Sequence, residues 1–405
     1  MMDLFKIALR NVVRNRRRTL ISMFAIFIGI GVMVGIRGFM NGLQDSLVRN
    51  VVETRLGALQ IHHAGYVASI EGVPLNLDMP VDEALLAKLR AIPGVRGAAP
   101  RIAFPVMVNK NDDTVFALGS AVDPANEYTV CPEEAKIITA GTALGTEPAL
   151  VMSTQLATAI KAKIGDSITL LANDHDGALN GIELKLVGTY VGRMPGMEKT
   201  LIMTLGAAQG LLRMEGRVTE IGIGLKNPRA ADDLAPAVAA IAPAPAFEVH
   251  TWNQLAKNIT DIMRFQNTFL GVASFVFLLV ALTLIINTML MAVLERVREI
   301  GTMMAVGVRR RQVLSLFLME SGLMGLFGGI AGAGAGWALV LYMGWRGIDL
   351  AMPGMKNVRN MLYPSLPLSY ILLAVGLATV GAILAAIYPA WHAARMRPVE
   401  ALQHV

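Results

Sequence analysis

The chain has 405 residues, of which 54% are hydrophobic and 16% charged, and it carries a formal net charge of +6. A mean hydropathy of +0.52 excludes an ordinary soluble protein, while the charged residues are too many for a chain buried in lipid throughout, so part of it must fold in water. Much of the positive charge flanks apolar runs, at Lys6, Arg10, Arg14, Arg16, Arg17, Arg18, Arg309, Arg310, Arg311, Arg395 and Arg397; that placement orients membrane spans and argues against nucleic-acid binding.

In chain order, Leu4, Phe5, Ala8, Leu9, Val12 and Val13 alternate with Lys6, Arg10 and Arg14, which predicts a basic amphipathic helix over 1–18 lying on the cytoplasmic membrane face. The run from Thr19 to Ile36 is too long for the apolar core of a typical signal peptide and is not followed by a small-x-small site, so it is expected to remain as a span. Spans are expected at 19–40, 268–294, 312–343 and 368–391. No charged residue lies between Arg264 and Glu295, and only Glu320 lies between Arg311 and Arg346, so these runs exceed the roughly 20 residues that cross a bilayer core. The arginine-rich segments 1–18, 295–311 and 392–405 then face the cytoplasm, with 41–267 and the loop 344–367 outside.

The outer segment 41–267 alternates strand and helix patterns. Ala58–His62 reads as a strand, Val81–Ala91 as a helix and Arg101–Val108 as a strand, and the pattern returns at Glu220–Leu225, Ala230–Ile241 and Phe247–His250. Between them, about 111–215, lies a more β-rich insertion with strands at Val115–Gly119, Ile168–Ala172, Glu183–Val191 and Thr200–Thr204. Phe39, Leu43, Leu47 and Val51 on one side, and Trp252, Leu255, Ile259 and Ile262 on the other, follow helical faces, so stiff helical stalks are expected at both junctions.

Within 295–311, Val297, Ile300, Met304 and Val308 recur at helical spacing opposite Glu295, Arg298 and Glu299, which predicts a short amphipathic helix at the membrane surface. The spacing alone fits a solvated connector or a docking helix equally well. In the third span Gly328, Gly332 and Gly336 share one helix face, expected to admit another helix of the same chain closely. Glu320 is ionisable within a span and needs an anchor, such as Asn287, Thr288 or the 295–311 loop. Cys131 is the sole cysteine, so no intrachain disulfide can form. His62-His63 and Asp174-His175-Asp176 lack the further ligands of a metal site. Met-Pro-Gly-Met, at 194–197 and 352–355, reads as apolar turns rather than a Cu(I) site.

The run ERVREIGTMMAVG from Glu295, followed by Leu318, Glu320, Ser321 and a glycine-rich span, then by Tyr388-Pro389-Ala390 and Arg395-Met396-Arg397-Pro398-Val399-Glu400-Ala401-Leu402, resembles the permease signature of the FtsX/MacB/LolCDE group of ABC transporters. The resemblance is strong over the final third, good over the arginine-rich start and first span, and holds in outline between. It implies an α-helical membrane protein with four transmembrane helices and a large two-lobed α/β periplasmic domain inserted between the first and second helices. It further implies a multi-pass protein of the cell inner membrane, moved by an ATPase. In this family reading 295–311 becomes the coupling helix: Glu295, Arg298 and Glu299 orient it by polar contacts, and Val297, Ile300 and Met304 fill a groove of the ATPase. Gly301 allows close backbone approach, and Gly307 ends the helix in a left-handed conformation.

No G-x-x-x-x-G-K-[ST] segment occurs, so ATP and Mg are expected on separate ABC ATPase subunits, with no cofactor and no catalysis on this chain. The other partners implied are a second permease copy or a paralogue, membrane lipid, and a periplasmic lipoprotein, adaptor or hydrolase. Leu59-Gln60-Ile61-His62 before Gly65-Tyr66, and Val187-Gly188-Thr189-Tyr190 before Ala208-Gln209, look closest to the Lol-type permeases, LolC and LolE. Lipoprotein release is therefore the first expectation. A MacB-type tripartite efflux permease and an FtsX-type regulator of a cell-wall hydrolase are the alternatives.

Overall fold

A computed structural model describes residues 7–11, 14, 16–111, 113–192, 197–242, 245–349 and 361–395. The first six residues, residues 194–196 of the first Met-Pro-Gly-Met segment, the whole of the second at 352–355, Lys356, Arg359 and the tail from Met396 lie outside the described residues. The chain divides into a helical unit and an α/β unit, the latter comprising Ser46–Asp261.

Helix α1 runs unbroken from Arg16 to Val51, through Asn41-Gly42 and along the whole of the expected first stalk. It passes into a π-helical turn, Val52–Leu56, that ends at Gly57 with φ 74°. A side chain there would meet the Ile223 carbonyl oxygen at 3.0 Å, so the chain can turn tightly against its sheet only through glycine.

The α/β unit continues through β1 (Leu59–His63), β2 (Met79–Pro80), α2 (Glu83–Arg90), β3 (Val95–Lys110), β4 (Asp113–Val122), α3 (Pro124–Val130), β5 (Ile138–Gly141), β6 (Ala149–Ser153) and α4 (Thr154–Ala159). Then come β7 (Ser167–Asn173), β8 (Leu179–Tyr190), β9 (Thr200–Thr204), α5 (Leu205–Leu212), β10 (Arg217–Val218), β11 (Glu220–Leu225), α6 (Ala231–Ile241), β12 (Phe247–Thr251) and α7 (Trp252–Leu255). Among the described residues ten strands join one sheet in the order β12-β1-β11-β3-β4-β9-β6-β8-β5, with β7 against β3 and β8. Strand β3 links the two ends of this sheet. Its start pairs with β11, Arg101 opposite Glu220, its end pairs with β7, Asn109 opposite Thr169, and β4 lies alongside it from Arg101 to Lys110. The border expected near residue 111 therefore falls inside a hairpin and leaves the hydrogen-bonded ladder intact.

A buried ionic cluster ties this sheet to the end of α1. Arg101 grips Glu127 with two hydrogen bonds, of 2.8 and 2.6 Å, donates to the Leu56 carbonyl at 3.1 Å and pairs with Glu220 at 3.3 Å. Burial disfavours the Arg101 charge, but Glu127 and Glu220 hold it firmly protonated. Burial also acts against the Glu220 charge, yet the His62 contact and Arg101 lower its pKa to about 2. That contribution to stability is present above the ordinary carboxylate range and is lost as pH falls towards 2. Glu134 behaves oppositely: burial, then the neighbouring Glu127, raise its pKa well above the ordinary 4.5. Its proton is bound more tightly in the folded state, so stability is lost as pH rises from about 4.5 through the folded value. Glu134→Gln keeps the group neutral, and the stability gained over the parent protein should widen as pH rises from 4 to 8. Thermal unfolding of the solubilised chain measures this; a gap that does not change with pH contradicts it.

The helical unit is completed by α8 (Lys257–Glu295), α9 (Val297–Ala305), α10 (Arg310–Arg346), the short hairpin β13 (Ile348–Asp349) with β14 (Met361–Leu362), and α11 (Leu368–Arg395). Among the described residues, four helices are long and apolar enough to cross a membrane: α1 with its following turn, α8, α10 and α11. Their core joins Ile26, Ile30 and Val34 to Leu316, Phe317 and Met324 and to an alanine stripe, Ala374, Ala378, Ala382 and Ala386. A side chain at Gly325 would come within 2.7 Å of the Ala382 methyl and 2.8 Å of the Ala378 carbonyl oxygen, so α10 and α11 meet through small residues. By contrast, α8 buries only Leu270 and a patch near its end, from Ile285 to Val293.

The second stalk differs from the expected continuous face. Gln254 accepts the Thr251 N–H at 3.1 Å through its side-chain oxygen and starts α7 as a separate turn, and Trp252 donates its indole N–H to the Pro228 carbonyl at 3.2 Å. Ala256 leaves the helix at φ −95°, ψ 50°. The long helix therefore begins at Lys257, and Ile259 and Ile262 lie on it while Trp252 and Leu255 do not.

Candidate functional site: the loop between the second and third long helices

The break between α8 and α9 falls at Arg296, whose backbone leaves the helix at φ −110°, ψ 18°. Glu295 is thus the exposed last residue of α8 rather than the first of the short helix. At the other end Gly307 adopts φ 101°. Its N–H bonds the Met304 carbonyl at 3.1 Å and the Val308 N–H bonds that of Met303 at 3.0 Å, the paired closure for which glycine is suited.

The short helix is amphipathic as expected, but its apolar face points into its own molecule. Ile300 is fully buried in the core of the helical unit, with Met303, Met304 and Val308 packed around it. Gly301 is buried and Val297 half-buried. Ile300 is therefore not available to fill a partner's groove: the spacing of apolar residues identifies the covered face without specifying what covers it. The outward face carries Arg298, Glu299, Thr302, Ala305 and Val306, the last 87% exposed.

Ion pairs at Arg14–Glu299 and Arg296–Glu320 hold this segment. Arg14 meets Glu299 at 2.6 Å with both side chains more than half exposed, a geometry that contributes little to stability. Arg296 meets Glu320 at 3.5 Å with the side chains 8% and 1% exposed. A charge buried this deeply needs its partner, so α9 is tied at its start to α10. Sequence reasoning did not single out Arg296 or the Arg14 contact; the signal for the first was Glu320 itself, an acid in an apolar helix that requires an opposite charge nearby.

The glycine face of α10 packs against α1. A side chain at Gly332 would meet the Phe27 carbonyl oxygen at 2.5 Å, one at Gly336 the Gly31 carbonyl oxygen at 2.6 Å, and one at Gly328 the Ile26 Cβ at 3.1 Å. The stripe is filled by the same chain. Among the described residues no group of three or more potential metal ligands occurs. His62 is instead buried and stacked on Tyr66 at 5.0 Å, and Asp174 caps its turn by accepting the Asp176 and Ala178 N–H groups at 3.1 and 2.9 Å.

Residues 19–241 match the family of the MacB-like periplasmic core domain, and residues 271–398 match the FtsX-like permease C-terminal family. The chain belongs to the FtsX/MacB/LolC-type ABC permeases. The LolC transmembrane protein of the lipoprotein-releasing system of Xylella fastidiosa is 22% identical over 413 residues, covering 95% of this chain and 93% of LolC. The MacB macrolide export ATP-binding/permease protein of Bdellovibrio bacteriovorus is 23% identical over 425 residues, covering 96% of this chain and 60% of MacB. An uncharacterized ABC transporter permease of Methanocaldococcus jannaschii is 30% identical over 174 residues, 42% of each chain. The permease thus spans less than half of that relative and 20% of the MacB of Syntrophobacter fumaroxidans. The crystal structure of the periplasmic region of MacB from Actinobacillus actinomycetemcomitans aligns at a TM-score of 0.37 and 9% identity, covering 52% of this chain and 95% of that one.

Proposed function

We propose that this permease takes up ATP-driven motion from a separate ABC ATPase and uses it to release lipoproteins from an inner membrane into the periplasm. The observation that carries the cargo assignment is the nearly end-to-end match to LolC, over 95% of this chain and 93% of the relative. The α/β unit acts as a two-lobed periplasmic domain, the second long helix faces a second permease copy or paralogue, and ATP with Mg resides on the ATPase. MacB-type efflux is the second reading, favoured by the match to the MacB-like core domain. Co-purification from native membranes separates them. Bound lipoproteins support release, whereas an adaptor protein in their place, or a cell-wall hydrolase, overturns it.

The ATPase contact is assigned to the outward face of α9, with the buried pair Arg296–Glu320 passing its displacement to α10. Arg298→Glu with Val306→Asp alters two exposed positions and spares the core around Ile300. Reversing one contact charge and placing a new carboxylate in a desolvated interface costs several kcal/mol unless it is paired. ATPase co-purification should fall at least about tenfold while thermal stability stays unchanged. Undiminished ATPase binding by the double variant contradicts this assignment.

A further inference from the structure

An apolar groove of about 220 Å³ runs between α1, α8 and α11, lined by Ile30 and Met33, by Gly271, Ser274 and Leu278, and by Leu377. Along α8 its lining extends from Gly271 to Ile285, about 21 Å at 1.5 Å per residue. The groove is long and narrow enough for a single hydrocarbon chain, and it lies on helices apolar enough to cross a membrane.

Arg37 sits one turn beyond Met33 on α1, at the end of the groove nearer the start of α8. The stretch of α1 from Arg18 to Arg37 covers about 28 Å, close to the ~30 Å hydrocarbon thickness, so Arg37 reaches the level of the lipid phosphates opposite the basic amino-terminal segment. The described residues give it an amide and a ring rather than a carboxylate. Nη1 donates to Asn267 Oδ1 at 2.9 Å, and the guanidinium carbon lies 5.7 Å from the centre of the Tyr370 ring. The same Asn267 oxygen accepts from Gln44 Nε2 at 3.3 Å, which orients the amide, and among the described residues no carboxylate pairs with the arginine. A guanidinium presents five N–H donors in a planar fork suited to phosphate, and basic pockets between membrane helices recognise anionic headgroups.

We propose that this groove is a binding site for one anionic glycerophospholipid, with an acyl chain between α1, α8 and α11 and its phosphate on Arg37. The site is independent of the cargo reading, because the acyl chains of a lipoprotein could enter the groove but bring no phosphate to Arg37.

The test uses the full chain in nanodiscs of equal palmitoyl-oleoyl phosphatidylglycerol and phosphatidylethanolamine, with retained lipids counted by native mass spectrometry. Phosphatidylglycerol should be retained about fivefold over phosphatidylethanolamine. Arg37→Gln should bring the ratio close to one, and Arg37→Lys should keep most of the preference. Gly271→Leu, at a position with open space around its Cα, should fill the groove and remove the bound lipid whatever its headgroup. A ratio near one in the parent chain overturns the proposal. So does a preference that survives Arg37→Gln, a Gly271→Leu variant that still holds phosphatidylglycerol, or a phosphate-free palmitoyl-oleoyl glycerol retained equally well.

Discussion

Replacing Arg296 by alanine is expected to destabilise the helical unit by about 3–5 kcal/mol, because the change removes an opposite charge that the buried Glu320 carboxylate pairs with. Both members of the pair are more than nine-tenths buried, and Phe317, Ser321 and Met324 on the same helix as Glu320 are buried as well. Nothing of comparable size is expected at the Arg14–Glu299 pair. Arg14→Ala removes a 2.6 Å contact between two exposed side chains, where the usual effect is about 0–1 kcal/mol. The decisive control is the pairwise replacement Arg296→Met with Glu320→Gln. Removing both charges together removes the uncompensated charge, so this double variant should recover most of the loss. Thermal unfolding in detergent, followed by tryptophan fluorescence, distinguishes the outcomes. Equal losses for the single and double variants would mean that packing, and not the charge, sets the stability at this position.

The apolar spans could be read directly, since only a helix satisfies its own backbone in lipid and about 20 apolar residues in a row have few other destinies. The glycines at 328, 332 and 336 were legible as a face for close contact, and the structure adds that α1 occupies it. Other features depended on information that lies outside any local window. The helical spacing of Val297, Ile300 and Met304 marked an apolar face correctly, but whether a partner or the same chain covers it depends on how α9 is tethered, which Arg296 and Glu320 decide across 24 positions. The border expected near residue 111 falls at the turn between β3, which ends at Lys110, and β4, and β3 itself pairs with β11 at one end and β7 at the other, a long-range arrangement that local patterns do not register. The second stalk breaks for a related reason: Trp252 and Leu255 keep the helical spacing of Ile259 and Ile262, while the Gln254 side chain bonded to the Thr251 N–H and the non-helical backbone at Ala256 are features that periodicity does not register. Arg37 drew no notice in the sequence, being one arginine at the end of a span; what singles it out is the amide and ring placed around it.

Abolition of transport is the expected result of inserting Gly-Gly-Ser-Gly-Gly-Ser between Ile259 and Thr260. Helix α8 begins at Lys257 and runs without interruption to Glu295, so this site lies three residues inside a rigid rod of about 58 Å. Helix α1 is similarly continuous, and the π turn that follows it is bonded to Arg101 through the Leu56 carbonyl. If movement at α9 reaches the periplasmic domain through such rods, a flexible stretch in one of them dissipates it. Glycine costs about 1 kcal/mol of helix propensity per residue relative to alanine, and a Gly/Ser chain of this length behaves as a random coil. The helical unit should still assemble, since the buried patch of α8 lies far along it, from Ile285 to Val293. ATPase binding and basal hydrolysis should therefore persist while cargo release falls below detection. A rigid control of equal length, Glu-Ala-Ala-Ala-Lys-Ala at the same position, extends the rod by about 9 Å without softening it. Partial function with the rigid insert and none with the flexible one would point to stiffness as the property that matters. Full transport with the flexible insert would remove α8 from the path of force and leave α1, with its Arg101 anchorage, as the remaining mechanical link between membrane and domain.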